Sequence, residues 1–332
     1  MWIGGIVAAM AKAQDTRADA QRARAGQRAA GRSDIPTGTW IDRWAPLPAR
    51  PFLRLARLDR PIGSWLLLWP CWWGAGLAAA AAGQAPSAYL LVLFAVGAVA
   101  MRGAGCTYND VVDRDIDGLV ARTATRPIAA GLVSVREAWT LLIGLSLLGL
   151  LVLIQLGFPA IWLGLLALAL VAAYPFMKRL TYWPQAWLGL TFNWGALVGW
   201  SAAAGALQWP AILLYVGGIA WTLGYDTIYA HQDKEDDELI GVKSAALKLG
   251  PATQPALVGF YLVALGCWTA AGALAEVHWA YLLGLAGVAL HFGWQILTLD
   301  IDDHADCLSK FKANRFVGAL LFAGILLAGA AV

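Results

Sequence analysis

The feature that most constrains this chain is its succession of apolar runs. About nine stretches reach roughly 20 residues, the length needed to cross a ~30 Å hydrocarbon core. They lie at 62–82, 88–106, 137–156, 158–175, 184–204, 209–228, 254–274, 279–298 and 316–332. A soluble all-α protein is the competing reading, but long uncharged runs in this number are not the half-polar pattern of soluble helices. The expected fold is an all-α polytopic membrane bundle of about nine transmembrane helices. Composition agrees: 60% of residues are hydrophobic, 14% are charged and mean hydropathy is +0.62, far from the balance of a soluble domain.

The basic residues test this arrangement, because loops on the cytoplasmic side retain Lys and Arg. Eleven of the 24 precede the first span, from Lys12 to Arg60. The others are Arg102 near the end of span two, Arg114, Arg122, Arg126 and Arg136 after it, Lys178 and Arg179 after span four, Lys234, Lys243 and Lys248 after span six, and Lys310, Lys312 and Arg315 after span eight. The alternate loops, around Gln84, Gly157, Gln208 and Glu276, carry none. Nine alternating spans therefore put the N-terminus inside and the C-terminus outside. The net charge of +3 reflects topology and attraction to anionic headgroups, so the expected partner is the lipid bilayer and no nucleic acid. Cys71, Cys106, Cys267 and Cys307 show no metal-ligand spacing. Residues 1–50 read as a mobile cytosolic basic arm, with a short apolar stretch at 2–10, ahead of a transmembrane domain at 51–332. Asp15, Asp19 and Asp34 argue against a mitochondrial targeting peptide.

Acids are as unevenly spread as bases. Residues 108–117 contain Asn109, Asp110, Asp113, Asp115 and Asp117 at the cytosolic end of span two, and residues 226–237 contain Asp226, Asp233, Asp236 and Asp237 at the corresponding end of span six. At about 100° per residue, Asn109, Asp113 and Asp117 fall near 260°, 300° and 340° from Asp110, whereas Asp115 falls near 140°. On the same assumption of a continuous helix, Asp233 and Asp237 lie within about 20° of Asp226. Carboxylates side by side near hydrocarbon are unfavourable unless cations neutralise them. An oxygen-only set suits magnesium, which takes one or two carboxylates together with phosphate oxygens. A solvated loop is the plainer explanation of any single acidic run; two runs of matching spacing on corresponding helix ends weigh against it.

The patterns NDxxDxxxD at 109–117 and DxxxAxxDxxDD at 226–237 resemble the UbiA-type superfamily of intramembrane prenyltransferases. Residues 122–127, RTATRP, resemble its basic segment, and residues 174–178, YPFMK, its YxxxK element. Within the superfamily, RLDRPIG at 57–63, LLLWP at 66–70, and Asp302, Asp303, Asp306, Cys307, Leu308 and 311–315 are similar to the branch that prenylates 4-hydroxybenzoate in ubiquinone synthesis. The resemblance covers about residues 50–330. It implies a nine-helix bundle with a central cavity open to the cytosol and laterally to lipid. The expected location is a bacterial inner membrane with the active site facing the cytoplasm, a mitochondrial inner membrane being the alternative. The resemblance also implies Mg²⁺, a polyprenyl diphosphate donor, and attack by the ring carbon ortho to the phenol oxygen.

On this basis Asn109, Asp110, Asp113, Asp117, Asp233 and Asp237 are the expected metal ligands. Arg122, Arg126, Lys178 and Lys243 are candidates for the diphosphate, against the alternative that they are topology signals only. Arg57 is a candidate for the aromatic carboxylate, or else an interfacial anchor. Asp226 is expected to orient or deprotonate the phenol, with Lys178 also in the reacting set. Tyr174 and Tyr229 would line the site or shield a carbocation, although interfacial Tyr often serve as belt residues. His231 has no partner at ligand spacing. A transporter is the rival from another class, and dihydroxynaphthoate, homogentisate, haem or a chlorophyll precursor are rival acceptors.

Overall fold

The structure, a computed structural model, describes residues 33–120 and 122–331. The expectations for the arm at 1–32 lie outside the described residues. Among those described, every regular element is a helix. By contact the chain divides into two units: residues up to Asp59 with Thr107–Trp139, and Arg60–Cys106 with Thr140–Val332.

The described part of the first unit includes two short helices, α1 (Trp40–Trp44) and α2 (Arg50–Leu55). Thr39 and Asp42 start α1 with a capping box, and Asp42 also pairs with Arg54 of α2. Ser33 and Asp34 are engaged too: the Ser33 and Thr125 hydroxyls are 2.6 Å apart, and the Asp34 N–H donates to the Arg122 carbonyl at 3.0 Å. Helix α2 ends in a Schellman motif. The Leu58 N–H reaches the Leu53 carbonyl and the Arg57 N–H the Arg54 carbonyl, each at 3.0 Å, with Arg57 in the left-handed region at φ +59°.

The second unit holds α3 (Ile62–Ala81) and most of the long apolar helices. Helix α4 (Ala88–Asp117) contributes residues 88–106 to this unit and 107–117 to the first, and α5 (Val135–Leu153) is likewise shared. There follow α6 (Phe158–Leu180), α7 (Pro184–Phe192), α8 (Gly195–Ala204), α9 (Trp209–Ala230), α10 (Lys234–Ile240), α11 (Ala245–Leu249), α12 (Thr253–Leu274), α13 (Tyr281–Thr298) and α14 (His304–Ala330). Their starts carry recognisable signals: the Ser134–Glu137 capping box before α5, Pro159 and Pro210 in the first turns of α6 and α9, and Asp303 capping α14.

Among the described residues, seven helical stretches are long and apolar enough to cross a membrane. Two of the nine expected spans differ. Helix α3 has the length, but its four Trp residues and Pro70 dilute its hydropathy. The span expected at 184–204 is broken into α7 and α8 at Asn193 and Trp194. Side-chain donors at the break find acceptors within the protein: Asn193 Nδ2 donates to the Gly189 carbonyl at 2.9 Å and to Thr222 Oγ1 at 2.7 Å, and the Trp194 indole to the Leu163 carbonyl at 2.8 Å.

Trp73, Trp221 and Trp268, from α3, α9 and α12, form the centre of this unit's core. Their rings lie 5.2–6.1 Å apart and each is fully buried. Each indole N–H finds an acceptor, on Gly318, Asn314 and Leu214 respectively. Helices α3 and α8 approach closely enough that a Cβ on Gly74 would lie 2.3 Å from the Ala196 carbonyl oxygen, and one on Gly199 2.2 Å from that of Cys71. Small residues permit such packing where no hydrophobic force draws helices together.

Candidate active site

In the first unit the end of α4 presents the first acidic motif as its helical phase requires. Asp110, Asp113 and Asp117 are 1%, 0% and 4% exposed, while the Asp115 side chain is 84% exposed. Asn109 is half-buried beside them. Guanidiniums balance two of these acids. Arg57 Nη2 donates to both Asp110 oxygens at 2.8 and 2.9 Å. Arg126 Nη1 donates to Asp117 at 3.0 and 3.1 Å and to Asp110 Oδ1 at 3.3 Å. The other edge of Arg126, Nε and Nη2, donates to Asp34 Oδ2 at 3.2 and 3.1 Å. Arg122 Nη1 stands 3.7 Å from the same oxygen. The Thr123 hydroxyl donates to the Asp117 carbonyl at 2.9 Å and so ties the basic segment to the helix end. Arg57, expected to receive an acceptor carboxylate, here serves the carboxylate of Asp110.

In the second unit Asp226, near the end of α9, lies within electrostatic reach of Arg102 and Asp233. The Arg102 guanidinium sits 5.2 Å over the Phe192 ring, and a Cβ on Gly63 would lie 2.3 Å from its Nε. Only glycine at position 63 leaves room for the guanidinium where it stands. Tyr225 is within electrostatic reach of Asp226, Arg102 and Tyr174. Tyr229 packs on Phe311 of α14 with ring centroids 4.4 Å apart, which places an aromatic of the last helix against the second motif.

The expected single face of Asp226, Asp233 and Asp237 needs correction. Helix α9 stops at Ala230, residues His231–Asp233 form a 3₁₀ turn, and α10 follows. A 3₁₀ turn advances about 120° per residue, so three residues shift the phase by roughly 60° from that of a continuous helix. Lys178 and Lys243 are brought together through the backbone, the Lys243 N–H donating to the Lys178 carbonyl at 3.0 Å. The Lys243 ammonium reaches the Leu180 carbonyl at 3.3 Å and stands 5.5 Å over the Tyr182 ring. His231 bonds Thr253 Oγ1 through Nε2 at 3.0 Å.

Arg102 is a candidate that sequence reasoning passed over, having counted it as a topology charge. A signal was present: it lies seven residues, or two turns, before Asn109, about 20° from it on the helix. A cation within an apolar span is a functional candidate by default.

Among the described residues no three His, Cys, Asp or Glu side chains converge as a ready-made metal cage. The donor set is nevertheless one that fits magnesium, which binds through one or two carboxylates and completes its shell with water and phosphate.

Long apolar helices with carboxylates and guanidiniums gathered near a few helix ends define an integral membrane protein equipped to meet an anionic group. The chain belongs to the UbiA prenyltransferase family, whose profile matches residues 67–331. It is 51% identical over 278 residues to the 4-hydroxybenzoate polyprenyltransferase, mitochondrial, of Aedes aegypti, a match covering 83% of this chain and 63% of the mosquito protein's length. It is 52% identical over 285 residues to the human protein of the same name, covering 85% and 76% of the two chains. Among solved structures, the apo UbiA homolog from Aeropyrum pernix K1 aligns with a TM-score of 0.67 at 27% identity, over 79% of this chain and 96% of that one. The UbiA homolog from Archaeoglobus fulgidus bound to GPP and Mg²⁺ shares the fold, with a TM-score of 0.58 at 20% identity over 85% of this chain and 100% of that one.

Proposed function

We propose that this chain transfers a polyprenyl group from polyprenyl diphosphate to the ring carbon ortho to the hydroxyl of 4-hydroxybenzoate, releasing diphosphate, as a step of ubiquinone biosynthesis. The observation that carries this reading is the buried acid and guanidinium assembly of residues 57, 110, 117 and 126, in a chain about half identical to proteins named for that reaction. The allylic C–O bond breaks, a C–C bond forms, and the ring proton leaves.

Asn109, Asp110, Asp113 and Asp117 would hold one Mg²⁺, and Asp233 and Asp237 a second. When bound, magnesium supplies Lewis-acid neutralisation of the leaving diphosphate. Arg122, Arg126, Lys178 and Lys243 share that anion's charge, which for Arg126 requires partial exchange of its carboxylate partners. Asp226 orients the phenol and takes its proton. Tyr174 and Tyr229 present ring faces to the allylic cation. The acceptor carboxylate has two candidate hosts: Arg57, which would leave Asp110, and Arg102, whose Nε has no hydrogen-bond partner among the described residues. The membrane is an inner membrane, bacterial or mitochondrial; the relatives' names favour the latter. The active site then faces the cytoplasm or the matrix.

The test uses membranes carrying the chain, a labelled polyprenyl diphosphate and a panel of 4-hydroxybenzoate, dihydroxynaphthoate and homogentisate, with magnesium present or chelated. Product should form with 4-hydroxybenzoate only and disappear with EDTA. Asp113→Asn or Asp233→Asn should remove most activity while the protein still inserts. Full turnover after chelation would end the metal assignment, and preference for another acceptor would end the substrate assignment.

A further inference from the structure

Asp34 lies outside the motifs described above, yet among the described residues that precede α1 it is the most heavily engaged. Its side chain is only 9% exposed. Its Oδ2 accepts from Nε and Nη2 of Arg126 and stands 3.7 Å from Arg122 Nη1. Two further bonds seat the segment on the same loop, from the Asp34 N–H to the Arg122 carbonyl and between the Ser33 and Thr125 hydroxyls. Placement of the carboxylate is thus fixed by backbone and neighbour as well as by charge.

A guanidinium has two hydrogen-bonding edges, and what is bound to one decides where the other points. With the Nε and Nη2 edge held by Asp34, the Nη1 side of Arg126 is turned toward α4, where Nη1 lies within 3.3 Å of both Asp110 and Asp117. We infer that Asp34 is a positioning residue for the anion site: by holding one edge of Arg126 it aims Nη1 at the first acidic motif, where the diphosphate is received.

The inference rests on the proposed role of Arg126 in holding diphosphate. Preorganisation of this kind lowers the ordering cost of binding. An Arg126 released from Asp34 can turn its fork flat onto Asp110 or Asp117, or outward, and must be reordered each time the anion arrives. Substitution of Asp34 therefore acts on donor affinity and not on the acceptor or on turnover at saturation.

The experiment compares Asp34→Ala, Asp34→Asn, Arg126→Lys, Arg126→Ala and the double variant Asp34→Ala/Arg126→Lys, each purified as the full chain in detergent. Affinity is read by calorimetric titration with inorganic diphosphate in the presence of Mg²⁺, and by KM for each substrate in turnover. Asp34→Ala should weaken diphosphate binding about tenfold and raise the donor KM in parallel, with kcat and the 4-hydroxybenzoate KM nearly unchanged. Asp34→Asn, which keeps an acceptor oxygen without the charge, should fall between, and it covers the case in which the alanine variant fails to fold. Lysine has no second edge to hold, so in the Arg126→Lys background removal of Asp34 should have no further effect. Equal loss in both backgrounds, unchanged affinity in Asp34→Ala, or tighter binding would each overturn the inference; the last would make Asp34 a competitor of the anion. Should Arg126→Ala itself leave diphosphate affinity intact, the anion-site reading fails. If it weakens binding while Asp34→Ala does not, only the positioning role fails.

Discussion

At the residue scale, Arg57 shows how a local cost is tolerated for a site. It occupies the left-handed position of a Schellman motif, where glycine is usual because a side chain there costs of order 1 kcal/mol. Its guanidinium is buried against Asp110, and removing one partner from a buried pair costs about 3 kcal/mol because a charge is left behind. Arg57→Ala should therefore lower stability by about 3 kcal/mol. Arg57→Gly, which relieves the backbone, should recover about 1 kcal/mol of that loss. Detergent-phase unfolding monitored by fluorescence checks both; equal stability of the two variants would remove the backbone argument. Separate substrate titrations then decide between Arg57 and Arg102. Whichever holds the acceptor should, on replacement by Ala, raise the 4-hydroxybenzoate KM more than tenfold, the scale of a guanidinium–carboxylate pair worth 2 kcal/mol or more, and leave the donor KM little changed. The face shared by residues 110, 113 and 117 was legible because a regular helix carries them. The partners of those acids were not, since Asp34 and Arg126 meet across 92 residues of sequence.

At the scale of elements, periodicity located the apolar helices and missed what interrupts them. Helices α4 and α14 continue beyond their apolar runs, by the residues that bear the acidic motif in one case and 304–315 in the other. Hydropathy is blind to these polar turns because they leave the run without leaving the helix. Asn193 breaks the fifth span with a side chain that hydropathy counts only as one polar residue, and the 3₁₀ turn at His231–Asp233 has no comparable sequence mark. Glycine is more informative at the α3–α8 interface. Adding a methyl at Gly74 or Gly199 drives it into backbone, which cannot yield as a side chain can. Either Gly→Ala change should destabilise by about 2–3 kcal/mol, the upper range for overpacking. Gly266→Ala in α12, where nothing lies within 4 Å, should be neutral or stabilising by up to about 1 kcal/mol through helix propensity. Melting temperatures of the three variants in one detergent give the comparison, and similar values for all three would mean that the close approach is not limiting.

At the scale of the whole molecule, the number of crossings can be argued by parity. Segments that hydrogen-bond outside the apolar helices lie on one side of the membrane, so an even number of crossings separates them. The Asp34 N–H bonds the Arg122 carbonyl; α4 is long and apolar enough to cross, and α3 must then cross with it. Lys243 bonds the Lys178 backbone and Gln185 accepts from the Ala245 N–H at 3.2 Å. Since Trp209–Asp233 is long and apolar enough to cross, the broken pair α7 and α8 must cross as well. Gln254 donates to the Leu299 carbonyl at 3.2 Å, which pairs α12 with α13. A Cβ on Gly329 would lie 3.7 Å from the Gln84 carbonyl oxygen, so the end of α14 belongs with the loop after α3. We propose nine crossings on these grounds, the fifth made by two short helices in series. The distribution of Lys and Arg then sets the orientation. In a background with Cys71, Cys106, Cys267 and Cys307 replaced, single cysteines at Gln84 and Gln208 should react with an impermeant maleimide from outside right-side-out vesicles. Cysteines at Leu132 and Lys248 should react only after permeabilisation. Labelling of positions 208 and 248 from the same side would show that α7 and α8 turn back without crossing, and a wholly reversed pattern would overturn the charge argument.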